Sequence, residues 1–216
     1  MNINPTSAAG FLLQELTWKV RVVTTTQVER VLSSRFEETP SPRSVLQRLR
    51  SDGLIRCWRT AVALHEADRA IACRSGGGPP PDFGALAWLL EKRWRDAATG
   101  RATIYWASDR AARLLGGVTK FDRRAGQLEH DLGTASVLVR LHETRPELAD
   151  HWRGEDVLRR DFAPGCAVLK KMPDAAIVAG QRIVRVIEYG GQYPADRLRR
   201  FDAHFYGKHN IPYEIW

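Results

Sequence analysis

Residues 172–193 read MPDAAIVAGQRIVRVIEYGGQY. Two apolar runs, residues 175–178 and 183–187, flank a short turn at Ala179-Gly180-Gln181, the pattern of an antiparallel hairpin. Antiparallel pairing conserves the sum of paired positions, so this turn sets Asp174 opposite Ile187 or Glu188, with opposed Cβ atoms roughly 5 Å apart. Two carboxylates that close repel, which raises one pKa unless a cation or a base stands between them. A hard divalent ion such as Mg2+ is one such cation. The intervening Ala175, Ala176, Ile177 and Val178, facing Ile183, Val184, Val186 and Ile187, predict strands buried on both faces that hold the pair rigidly. Without an ion, Asp174 simply starts a strand and Glu188 pairs with Arg185 or with an arginine of the following helix.

Around the hairpin, residues 127–143 have helical spacing, with Leu128, Leu132, Ala135, Leu138 and Val139 facing inward. Residues 152–159 read as a strand, 195–206 as a helix and 211–216 as a last strand. The order predicts an α/β (α+β) arrangement, a mixed sheet flanked by helices.

The first part of the chain has a different rhythm. Ser7 caps a helix carrying Phe11, Leu12, Leu16 and Val20, and Thr26 with Glu29 makes a capping box for a second carrying Val28, Val31 and Leu32. Ser41 and Pro42 open a third, in which Val45, Leu46 and Leu49 recur before Gly53 stops it. Residues 54–62 follow as a strand. Three short helices closed by a strand outline a winged helix-turn-helix, whose third helix lies in a DNA major groove while the wing touches phosphate. Arg43, Gln47, Arg48 and Arg50 lie on the polar side of that helix, and Arg56 and Arg59 on the strand. Gln47 suits adenine, an arginine suits guanine, and the remaining basic groups suit phosphate. The plainer readings are a solvated helix face, or a winged helix that meets another protein.

Charge supports a polyanionic partner. The chain of 216 residues has a net charge of +8, and residues 1–126 hold 20 basic residues against 12 acidic, whereas residues 127–216 hold 13 of each. Double-stranded DNA is the expected partner, although 27 of the basic residues are arginine, and such a bias raises the pI without any nucleic acid. No apolar run reaches the roughly 20 residues of a membrane span and no secretory pattern opens the chain, so a cytoplasmic protein with no membrane partner is expected. Cys57, Cys73 and Cys166 show no metal or disulfide spacing and are expected as buried thiols.

Between the two parts, residues 75–82 (SGGGPPPD) form a turn or tether. A helix follows over 83–95, with Leu86, Leu89, Leu90, Trp88 and Trp94 expected inside, then a strand over 102–107 and a helix over 109–115 ended by Gly116-Gly117. Three divisions result: a winged helix over 1–74, a connecting or accessory helix-strand-helix segment over 75–126, and an α/β domain over 127–216. On this division the winged helix folds independently of the C-terminal sheet.

Helix, strand, a hairpin with Asp on its first strand and Glu on its second, then helix and strand resembles the PD-(D/E)XK nuclease fold. A winged helix followed by Leu128-Glu129-His130-Asp131-Leu132, Trp152 to Glu155, Pro173-Asp174-Ala175 and Ile187-Glu188 resembles, more specifically, the bacterial replication-relaxation family linked to plasmid replication. The resemblance implies a DNA-binding accessory protein of a plasmid or other mobile element, with Mg2+ held by Asp174 and Glu188 if the nuclease-like site is active. It also implies a further ligand from Glu129 or His130, and other proteins of a mobile-element or defence complex as partners. The fold's catalytic lysine, two residues after the Glu, is replaced here by Gly190. Gln192, Arg197 and Arg200 lie in range to take over its place beside catalytic Asp174 and Glu188, as do Lys170 and Lys171 from before the strand, but arginine stays protonated and only stabilises charge. Three functions follow: a DNA-binding protein with an inactive nuclease-like domain, a Mg2+-dependent DNA endonuclease, and a protein-assembly subunit.

Overall fold

Ser7 opens the first helix, α1 (Ala8–Gln14), its Oγ accepting the Gly10 N–H at 3.1 Å. The helix runs on into a wider turn, in which the Val20 N–H reaches back to the Glu15 carbonyl at 2.9 Å. A computed structural model describes residues 3–64 and 67–216 of the chain. Strand β1 (Val23–Thr24) leads directly into α2 (Thr25–Arg35), followed by α3 (Pro42–Ser51) and β2 (Ile55–Ala63). Next come β3 (Ala72–Arg74), α4 (Phe83–Asp96), β4 (Thr99–Ala107), α5 (Asp109–Leu115) and the long α6 (Ala125–Thr144). The remainder is α7 (Pro146–Asp150), β5 (Trp152–Gly154), α8 (Glu155–Val157), β6 (Ala175–Ala179), β7 (Arg182–Glu188), α9 (Ala195–Asp202) and β8 (Tyr213–Ile215).

Two sheets form, and the fold is mixed α and β. The first is antiparallel with order β1-β4-β2, and its β2–β4 ladder runs unbroken from Ile55↔Ala107 to Ala63↔Thr99. The second has order β3-β8-β7-β6-β5, with β7 and β8 parallel and the other neighbours antiparallel. The first sheet crosses the expected division at residue 74, and the second crosses both, at residues 74 and 126. The chain leaves the first sheet after Ala63, contributes β3 to the edge of the second, packs α4 against α9, and returns as β4.

The first part also packs against the second sheet. Val28 and Leu32 of α2 share one apolar cluster with Trp152 and Ile187 of the second sheet. The Trp152 indole N–H donates to the Lys19 carbonyl at 3.0 Å, and the Gln27 amide donates to the Leu132 carbonyl at 2.9 Å. A buried ion cluster adds to the join: His142 Nε2 and Lys19 Nζ lie 2.9 and 2.7 Å from the Glu15 carboxylate. Helix α6 takes part on both sides, Leu128 and Leu132 packing with Ile104 and Trp106 of the first sheet, and Leu138 and Leu141 with the larger cluster.

Some local expectations are displaced. The capping box is Thr24 with Gln27, not Thr26 with Glu29: Thr24 Oγ1 accepts the Gln27 N–H at 3.2 Å and Gln27 Oε1 accepts the Thr24 N–H at 2.9 Å. Pairing of Val23 and Thr24 with Tyr105 and Ile104 keeps the chain extended only to Thr24, so Thr26 lies within the helix. The strand expected over 152–159 stops at Gly154, where the Glu155 N–H makes a last bond to the Asp174 carbonyl at 2.9 Å and the chain turns helical. Helix α4 buries the stripe Leu86 and Leu90, which leaves Trp88 56% and Leu89 42% exposed rather than in the core. Val184, expected inside, is the extra residue of a bulge opposite Ile177 and Val178, and is exposed. The cysteines are free but not buried: Cys73 is exposed, Cys57 and Cys166 are half-buried. Among the described residues no helix is long and apolar enough to cross a membrane.

Candidate functional site

The β6–β7 register, Ala175↔Ile187 at its open end, continues to set Asp174 against Glu188. The two carboxylates are tied through the backbone. Asp174 Oδ2 accepts the Tyr189 N–H at 2.7 Å, and Glu188 Oε2 lies 3.4 Å from the Asp174 N–H. From α6, His130 Nε2 stands 3.3 Å from Asp174 Oδ2, its ring edge-on to Tyr189. The Tyr193 hydroxyl hydrogen-bonds Glu188, and the Arg197 guanidinium lies 3.6 Å over the Tyr193 ring.

Electrostatics follow from this packing. Burial, and then the neighbouring Asp174, push the Glu188 carboxyl up to about 8, against the pull of His130, Tyr193 and Arg197. Burial alone lowers the pKa of His130, but Asp174, Glu188 and Asp131 outweigh it and raise the imidazole to about 9. Both shifts favour a protonated Glu188 and an imidazolium facing Asp174 at neutral pH. Burial also pushes the Tyr193 hydroxyl up, and lowers Lys171, whose Nζ lies 5.1 Å over the Phe201 ring.

Other expected members of the site are elsewhere. Glu129, one residue before His130, turns to the first sheet, where its Oε1 accepts the Ala63 N–H at 3.1 Å. Gln192 is exposed, and it is Tyr193 beside it that reaches Glu188. Position 190 is sealed by α4: a Cβ there would lie 2.6 Å from Leu90 Cδ2, and the Gly190 carbonyl accepts from the Trp94 indole at 2.9 Å and from the Arg93 guanidinium. A side chain there would have to displace Leu90. Among the described residues no group of three or more His, Cys, Asp or Glu side chains is arranged to hold a metal ion. Mg2+ takes near-octahedral oxygen ligands, whereas Asp174 Oδ2 is engaged by the Tyr189 N–H and the His130 imidazole, and Glu188 by the Tyr193 phenol and, at 3.4 Å, the Asp174 N–H, so the residues as arranged fit it poorly.

A second polar cluster, whose Arg21 carried no signal in the sequence, lies in the adjoining pocket lined by Arg21, Asp131, Glu155, Asp156 and Asp174. Arg21 donates to Asp156 at 2.7 and 2.8 Å, to Glu155 at 2.6 Å and to Asp131 at 3.1 Å. This guanidinium, more than 100 positions from its partners, occupies the place of a cation among the acids and joins α6 and α8 to the start of the first sheet.

The basic residues expected to meet DNA are accessible. Arg43, Gln47, Arg48 and Arg50 are all exposed, while Val45, Leu46 and Leu49 hold α3 to the core. Arg43, Gln47 and Arg50 follow one stripe and line a groove with Thr25 and Tyr105. Arg48 stands about 100° around the helix from Gln47, on the flank. On β2 the pairings Arg56↔Trp106 and Arg59↔Thr103 put the two arginines, three positions apart, on opposite faces of the sheet. Only Arg59 shares the face of Tyr105, which pairs with Cys57. No family model, curated protein or solved structure matches this chain.

Proposed function

We propose that this chain is a double-stranded-DNA-binding protein whose α3 enters the major groove, and whose second sheet serves binding or assembly rather than cleavage. The observation that carries this reading is the topology: α1, β1, α2, α3, β2 and β4 with sheet order β1-β4-β2 follow a winged-helix plan, with the outer stripe of its third helix free. Gln47 between Arg43 and Arg50 gives a bidentate amide flanked by two cations, suited to a base edge between phosphates. The packing of Leu90 against Gly190 and the contacts of His130, Tyr193 and backbone N–H groups with Asp174 and Glu188 favour a nuclease-like domain without nuclease chemistry. A setting on a plasmid or mobile element, with other proteins of such a complex, follows from the family resemblance alone.

Fluorescence anisotropy with labelled duplexes over a salt series tests the reading. Arg43→Ala with Arg50→Ala is expected to lower the slope of log K against log salt by about 1.8, at 0.9 for each lost phosphate contact, or by less where one arginine reads a base. Gln47→Ala is expected to narrow the difference between preferred and unrelated duplexes. Equal affinity and slope in parent and double variant would remove α3 from any DNA interface.

A further inference from the structure

In a winged helix the hairpin tip is the part expected to touch DNA beside the recognition helix. Here the hairpin is not closed by a short loop. Past Ala63 and before Thr99 the chain is drawn into the second sheet as β3 and into the helical layer as α4, and the Leu64 N–H closes the hairpin on the Ala98 carbonyl at 3.3 Å.

The face of the hairpin is free instead. Cys57, Arg59 and Ala61 of β2 share one face with Tyr105, Thr103 and Arg101 of β4, their pairing partners. Its inner end, at Ile55 and Ala107, packs in the core, and its outer end carries exposed Arg59 and Arg101. The opposite face is covered, since Trp58, Val62, Ile104 and Trp106 pack with α6. Arg59 pairs with Thr103 and Arg101 with Ala61, so the two arginines are diagonal neighbours, about 7 Å apart at Cβ. Neither joins an ion pair among the described residues, so two like charges stand side by side on this face.

This face continues the groove of α3. Thr25, at the start of α2, lines both the groove with Arg43, Gln47 and Arg50 and a second one with Arg30, Arg59, Arg101 and Thr103. Along β4, Tyr105 belongs to the first groove and Arg101, about 13 Å further on, to the second. We infer that the DNA backbone, on leaving the α3 groove, crosses the open face of the β2–β4 hairpin, where Arg59 and Arg101 hold phosphate. The hairpin tip takes no part. The inference rests on the DNA-binding reading and adds to it Arg101, a residue that the sequence did not single out, while excluding Arg56, which is exposed but on the opposite face of the sheet.

The test is anisotropy titration of the full chain with duplex DNA of two unrelated sequences over a salt series. Arg59→Ala with Arg101→Ala is expected to lower the salt slope by about 1.8 and to weaken both duplexes equally, as phosphate contacts do. Arg56→Ala is expected to leave affinity and slope unchanged. All three positions are exposed, and matched melting temperatures show that the variants remain folded. If Arg43→Ala with Arg50→Ala flattens the slope but Arg59→Ala with Arg101→Ala does not, the DNA-binding reading stands and the strand-face path is wrong. An equal effect of Arg56→Ala points to diffuse charge and overturns it too. Failure of the parent to bind any duplex removes both.

Discussion

Asp174 and Glu188 face each other across the open end of the β6–β7 hairpin and are bridged by the backbone: the N–H after Glu188 binds the Asp174 carboxylate at 2.7 Å, and the N–H of Asp174 lies 3.4 Å from the Glu188 carboxylate. With His130 and Tyr193 added, the pair satisfies itself through protons.

That proton balance makes stability depend on pH. Glu188 has a folded pKa of about 8 against an ordinary 4.5, and His130 about 9 against 6.5. Both are raised, so the folded chain binds more protons than the unfolded one and stability falls as pH rises. The Glu188 contribution is complete below 4.5 and lost through about 8, and that of His130 is complete below 6.5 and lost through about 9. Calorimetry between pH 6.5 and 9 should show a falling melting temperature, with a slope of up to about 1.4 kcal/mol per pH unit for each proton. Glu188→Gln, which keeps a neutral side chain of the same shape, should make the fall shallower. A parent profile flat over this range contradicts the assignment.

Mg2+ or Mn2+ should leave the melting temperature at neutral pH unchanged, because binding would have to displace protons and hydrogen bonds already in place. Gly190→Lys should not create nuclease activity. It should instead lower stability, since its Cβ meets Leu90 of α4 at 2.6 Å. Cleavage of duplex DNA that needs metal and disappears in Asp174→Asn would reverse this ranking in favour of an endonuclease.

Arg21→Met should destabilise the chain by about 3–5 kcal/mol, because it strips the counter-charge from buried Asp131 and its neighbours Glu155 and Asp156. Burial already raises the Asp131 pKa, and loss of Arg21 raises it further. The variant should therefore recover part of the loss as pH falls and Asp131 takes up a proton. Urea midpoints at pH 5 and pH 8 measure the difference, and an equal loss at both would show that Arg21 acts through packing alone.

Gly133→Ala runs against helix propensity. Alanine gains about 1 kcal/mol over glycine inside a helix, yet a Cβ at this position of α6 would meet Tyr189 Cε1 at 2.1 Å. Overpacking of this kind typically costs about 1–3 kcal/mol, so the variant should melt lower, and Tyr189→Leu in the same chain should restore part of the loss. A higher melting temperature for Gly133→Ala alone would mean that the Tyr189 ring moves freely.

Much of the architecture was legible in local chemistry. Ser7, Ser41 with Pro42, and the positive-φ glycines Gly53, Gly116 and Gly180 mark where elements start or stop, because caps and tight turns depend on residues a few positions apart. The same locality made the facing of Asp174 and Glu188 readable, since a short turn sets the register of everything that follows it. Two adjoining threonine capping boxes were beyond that reach, and pairing of Val23 and Thr24 with a strand some 80 residues away chose between them.

What tertiary structure decided are the choices between near neighbours and the meetings of distant ones. Glu129 and His130 are adjacent on α6 and so point about 100° apart; which of them faces Asp174 depends on the rotation of a helix packed on both sides, whose apolar pattern does not favour one face. Arg56 and Arg59 look alike in the chain but stand on opposite faces, of which α6 covers one. Arg21 meets carboxylates that no local rule links to it. The sequence by itself determined most of the helices and the hairpin pair, because those follow from contacts within a few residues. Packing of the segment between β2 and β4 onto the second sheet decided the rest, sealing Gly190 under Leu90 and leaving the strand face of Arg59 and Arg101 open.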